Sequence, residues 1–74
     1  MSAVTENVSA YIQEKGINVK NLADKTGHAY QPLNVSIGGQ TTRDRDLRDD
    51  EFLDICMFLD VDPRIFAVKK EQEN

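Results

Sequence analysis

Every glycine of the chain lies between residues 16 and 39, at Gly16, Gly27, Gly38 and Gly39. These four residues restrict that stretch to short helices, because glycine is the residue that most readily ends a helix and redirects the chain through a positive φ. Between Gly16 and Gly27 the segment INVKNLADKT carries Leu22 and Ala23 on one side, and between Gly27 and Gly38 the segment HAYQPLNVSI carries Leu33 and Ile37 on one side. Thr26-Gly27-His28 lies between the two patterns. The spacing therefore predicts a helix over 18–26, a tight turn, and a second helix over about 29–37. Asn18 is placed to cap the first by accepting from a free backbone N–H two or three residues on. Ala23 is small where two steeply crossing helices bring their backbones close.

Pro32 limits where the second of these helices can begin. Proline in a helix interior costs about 3 kcal/mol, but in the first turn its missing N–H has no partner to lose. A start at Ala29 or Tyr30 puts Pro32 in that turn; a start near Gln31 leaves about two turns. In either register Tyr30, Gln31, Asn34 and Val35 point away from the Leu33–Ile37 side, with Ser36 at the edge.

On either side of this centre the apolar residues keep a helical period. Val4, Val8, Tyr11 and Ile12 recur at i, i+4, i+7 and i+8 and predict an amphipathic helix over 4–15, with Ile17 folding back on its last turn. Phe52, Ile55, Cys56 and Leu59 recur at i, i+3, i+4 and i+7 and predict another over 49–60. Asp49, Asp50 and Glu51 in its first turn complement the positive end of the helix dipole. Arg48, which has no acceptor, stands at its cap position, so Asp46 or Asp49 is the candidate cap. Asp62-Pro63 reads as a cap followed by proline at the first helical position, opening a last helix over 63–68 with Ile65 and Phe66 turned inward. Residues 38–46 are polar without apolar period and read as a loop, and the tail 69–74 reads as disordered.

These landmarks in this order resemble the phage-repressor and Cro-like helix-turn-helix proteins, the XRE family. The similarity rests on Leu22-Ala23, on Gly27 four residues after the alanine, on Leu33 and Ile37, and on the closing glycine. It continues through Leu47 to Phe52 with Ile55, and through Phe58-Leu59-Asp60-Val61-Asp62-Pro63 with Phe66. It covers roughly residues 4 to 66. The resemblance implies an all-α fold, a compact bundle of four or five helices of the lambda-repressor-like type, whose third helix reads the DNA major groove.

At 74 residues the chain is one domain with a single small core. One cysteine, Cys56, allows no internal disulfide, and no apolar run is long enough for a membrane span, so a soluble cytoplasmic protein is expected. The net charge of −4 runs against the phosphate neutralisation that supplies most non-specific DNA affinity. That excess is local. Residues 47–66 hold Asp49, Asp50, Glu51, Asp54, Asp60 and Asp62 against Arg48 and Arg64, while residues 1–46 and 67–74 are balanced.

If the third helix enters a major groove, Gln31 and Asn34 are its natural readers, since a Gln or Asn amide can bond adenine N6 and N7 together. The methyls of Val35 suit a thymine methyl. Tyr30, Ser36 and Lys20 are candidate phosphate or base contacts, and Gln40, Thr41, Thr42, Arg43 and Arg45 lie in the loop where backbone clamping is expected. The double-stranded DNA partner would be met by a homodimer, because one short helix reads too few base pairs; Ile65, Ala67 and Val68 are the expected dimer surface. A rival class of function is a protein-interaction module that keeps the fold without binding DNA and meets a basic partner at the acidic fourth helix, or mimics DNA. His28, the single histidine, reads as an exposed turn residue and Cys56 as a small buried hydrophobe. No nucleophile with a base, metal-ligand spacing or cofactor motif is present, so neither an enzyme nor a cofactor is expected.

Overall fold

In a computed structural model of the chain, residues 2–39 and 45–67 are described. The fold is an all-α bundle: α1 (Ala3–Lys15), α2 (Val19–Thr26), α3 (Tyr30–Ile37) and α4 (Asp49–Leu59), followed by a 3-10 turn over Pro63–Phe66. Helix α3 packs on both α1 and α2, α4 packs on α2, and the 3-10 turn closes on α1. The expected tail from residue 69, Val68, and the loop residues Gln40, Thr41, Thr42 and Arg43 lie outside the described residues.

Local chemistry sets the helix limits. The Ser2 hydroxyl accepts from the Thr5 N–H at 3.1 Å and opens α1. Gly16 takes φ +68° at its end, and the Ile17 N–H turns back to the Ile12 carbonyl at 3.0 Å. Asn18 caps α2 by accepting from the Asn21 N–H at 2.9 Å. Gly27 at φ +78° ends α2, and the N–H groups of Gly27 and His28 both reach the Ala23 carbonyl, at 2.9 and 3.1 Å. That conformation favours glycine over any residue with a Cβ. Helix α3 begins at Tyr30, so Pro32 is its third residue, where no N–H is missed.

The start of α4 takes a route that neither candidate cap provides. Arg48 flanks the helix without a side-chain cap, and the Glu51 carboxylate reaches back to accept from the Arg48 N–H at 2.8 Å. Asp46 instead accepts from the Ser2 N–H, tying the start of α1 to the segment before α4. Thr5 strengthens this seam: buried at 1% exposure, its hydroxyl oxygen accepts from the Leu47 N–H at 3.1 Å. At the far end Asp60 closes α4 in the left-handed region at φ 58°, which aspartate tolerates better than most residues.

The core consists of Val8 and Ile12 from α1, Leu22 and Ala23 from α2, Leu33 and Ile37 from α3, Ile55 and Cys56 from α4, and Phe66. Tyr11 and Phe52 pack edge-on against Phe66, with ring centroids 5.4 and 6.1 Å away. Such pairs add about 0.5–1.5 kcal/mol each beyond the area they bury. Phe66 is thus the plug between α1 and α4. The expected helix over 63–68 is shorter: it is a 3-10 turn that ends at Phe66, with Ala67 extended. Within it Ile65 does not turn inward but stands 46% exposed, because the tighter winding aims Phe66 alone at the core.

Candidate nucleic-acid interface

The outward side of α3 carries Tyr30 and Gln31, both exposed, Tyr30 to 38%, with Asn34 and Val35 half-buried beside them. Leu33 and Ile37 anchor the helix from beneath. The carbonyl of Ile37, at the last turn, accepts from the Gln13 side-chain amide at 2.8 Å and from the Ser9 hydroxyl at 3.4 Å, so α1 satisfies a helix end that has no partner of its own. Gly38 lies against Asn34. Its N–H donates to the Asn34 carbonyl at 2.8 Å, and a Cβ at this position would collide with the side-chain and backbone oxygens of Asn34.

Lys20 on α2 and Tyr30 on α3 come together: the Lys20 ammonium lies 5.6 Å from the Tyr30 ring centroid, within cation–π range. They share an open cleft of about 410 Å³ with Gln13, Asn18 and Asn34. The cleft lies at the N-terminal end of α2, where unpaired N–H groups and the helix dipole favour an anion. A cation, amide side chains and a tyrosine hydroxyl are thereby gathered on one surface, a set able to bond phosphate oxygens and base edges. Gln13 and Asn18 were not among the residues expected here. In sequence Gln13 is one polar residue beside the α1 stripe, and the packing of α1 on α3 brings it to the cleft; Asn18 arrives there as the cap of α2, beside Lys20.

Two expected contacts have other uses. Ser36, expected at the edge of the outer side, is buried, and its hydroxyl accepts from the Arg45 guanidinium at 2.7 Å. Arg45, expected to clamp a phosphate, donates to the Pro32 carbonyl at 3.2 Å and to both carboxylate oxygens of Glu51 at 3.1 Å. It fastens α3 to the start of α4. Burial acts to raise the Glu51 carboxyl, but the bonds from Arg45 and from the Arg48 N–H outweigh it, so the group titrates below its ordinary value.

His28 also differs from expectation. It is not a free turn residue: its Nε2 lies 2.8 Å from a carboxylate oxygen of Asp54, and its side chain is mostly covered. The turn between α2 and α3 is therefore tied to α4. Cys56 is buried as expected, and burial together with the nearby Asp62 pushes its thiol up. Among the described residues no three His, Cys, Asp or Glu side chains gather as metal ligands, and no helix is long and apolar enough to cross a membrane. Compared with known proteins, the chain matches no family model, no curated protein and no solved structure.

Proposed function

We propose that this chain is a small sequence-specific DNA-binding regulator of the Cro or repressor type. It reads the major groove with α3 and holds phosphates at the start of α2. The observation that carries this reading is the placement of Gln31 and Asn34 on the outer side of α3, where Tyr30 of the same helix and Lys20 of the neighbouring α2 meet at one cleft. Two amides on an exposed helical face can read adenine, and a cationic cleft beside them fixes the register on the backbone. The acidic excess belongs to α4, which does not contribute to this cleft. A homodimer on a pseudo-palindromic site fits this use, since one eight-residue helix spans only a few base pairs.

Amide shifts of the labelled protein, titrated with a generic DNA duplex at low and high salt, test the proposal. Shifts centred on residues 18–20 and 28–35 that weaken as salt rises are the expected result. Absence of shifts at low salt overturns the reading.

A further inference from the structure

The outer face of α4 has a composition that the reading of DNA does not use. Leu53 is 50% exposed, Met57 77% and Phe58 39%, three of the five large apolar residues that stand out of the described surface. At 3.6 residues per turn Leu53 and Met57 form one stripe; Asp49 falls on one side of it, with Asp60 at the helix end, and Asp50 and Asp54 fall on the other, with Phe58 next to Asp54. Leu53 and Met57 thus have carboxylates on both sides, and Phe58 lies beyond Asp54. Helix α4 contains no basic residue to offset them. Phe58 and Met57 also line an open cleft of about 310 Å³ with Asp54, Lys25 and Thr26, at the C-terminal end of α2. It shares no residue with the cleft at Lys20 and Tyr30, so both surfaces are available together.

We propose that this face docks a basic amphipathic helix from another protein. The charge pattern selects the occupant. A second copy placed on the same face by a two-fold axis would set carboxylates against carboxylates, whereas lysines or arginines flanking an apolar stripe meet the carboxylates on both sides. Spacing points the same way: Leu53 and Met57 stand one helical turn apart, the interval at which a single helix laid along the face presents its own apolar residues. Met57, unbranched and the most exposed of the three, adapts its shape to an incoming apolar residue. Arg48 lies 3.6 Å from Asp50 and His28 holds Asp54, but each engages only part of its carboxylate, and neither crosses the Leu53–Met57 stripe.

The full labelled chain is titrated with a short synthetic helix bearing leucine at i, i+3, i+4 and i+7 and lysine elsewhere. Two control peptides replace the leucines by serine or the lysines by glutamate. Saturable shifts over residues 49–60 and 25–26, lost with either control and weakened roughly tenfold or more by Leu53→Lys with Met57→Lys, are the expected result. Both positions are at least half exposed, so the helical circular dichroism should be unchanged by the double substitution. Equal binding of the serine peptide, or no binding at low salt, overturns the proposal. So does a dimer in sedimentation that Met57→Lys converts to monomer, which would assign the face to a second copy. The DNA reading depends on residues 18–35 and stands or falls separately.

Discussion

Arg45 holds both carboxylate oxygens of Glu51 at 3.1 Å while the same guanidinium bonds the Ser36 hydroxyl and the Pro32 carbonyl, so one residue from the segment before α4 joins α3 to α4. Glu51 is buried and Arg45 only a quarter exposed, which places the pair beyond the regime of surface ion pairs. Removing the carboxylate leaves the mostly covered guanidinium without its charge partner. Glu51→Ala should therefore cost about 2–3 kcal/mol in urea unfolding, and Arg45→Ala a similar or larger amount, because the Glu51 carboxylate it leaves behind is the more buried of the two. The double variant should lose less than the sum of the two. Additive losses would show that the two side chains act independently.

The same pair gives the fold an acid limit. Glu51 titrates below its ordinary value of 4.5 in the folded chain, so its contribution is complete above that value and is lost as pH falls through the lower folded one. Asp62, held down to about 2 by its hydrogen bonds from Arg64, has the same sign, though its exposure to solvent limits the gain. Stability should be flat from neutral pH to about 5 and fall below 4.5. Glu51→Gln should be less stable at neutral pH and show a shallower acid decline. An unchanged slope in that variant would remove Glu51 from the acid response.

His28 is a smaller version of the same device. Its bond to Asp54 fixes the α2–α3 turn to α4, but the Asp54 side chain is 45% exposed, which limits the gain. His28→Ala and Asp54→Asn should each lower stability by about 1 kcal/mol, with a coupling of roughly 0.5–1 kcal/mol in the double-variant cycle. Zero coupling would mean that the contact contributes nothing in solution.

The elements were legible in the sequence where local chemistry decides them. Gly16, Asn18 and Gly27 set helix ends through bonds that span five residues or fewer, and the apolar spacing of α1 and α4 identified Val8, Ile12, Ile55 and Cys56 as core. The candidate interface was legible for Tyr30, Gln31 and Asn34 for the same reason, since helical period alone fixes which side they take. The polar links were not. Arg45 to Ser36 spans nine residues and His28 to Asp54 twenty-six, and nothing in the sequence marks these polar residues as partners. Thr5 shows the difficulty from the other side: a hydroxyl on the first turn of α1 is buried because the Leu47 N–H and the Ser2 hydroxyl both donate to it. Ile65 and Phe66 are adjacent and both apolar, and only the 3-10 winding of the last turn decides which one is buried.

Cys56 offers a probe of opening. It is 2% exposed, and burial with the nearby Asp62 raises its thiol above the ordinary value, so little thiolate is present and little surface is accessible. A thiol reagent should label it slowly in the native chain and rapidly in denaturant. The native labelling rate should rise in step with the destabilisation caused by Glu51→Ala. Fast labelling of the intact protein, independent of stability, would indicate that α4 opens locally.

Specificity provides the sharpest division between reading and mere attraction on α3. Gln31 and Asn34 have no part in the core and Asn34 is only half-buried, so Gln31→Ala with Asn34→Ala should leave the helical fold intact. In selection from a random-site DNA library the double variant should retain weak, salt-sensitive binding and lose sequence preference, because the phosphate contacts survive while the base-reading amides do not. Lys20→Ala should do the converse. It should weaken binding across all sequences and reduce the slope of affinity against salt by about one counterion. If the double alanine variant selects the same sites as the parent chain, sequence is not read by this face of α3.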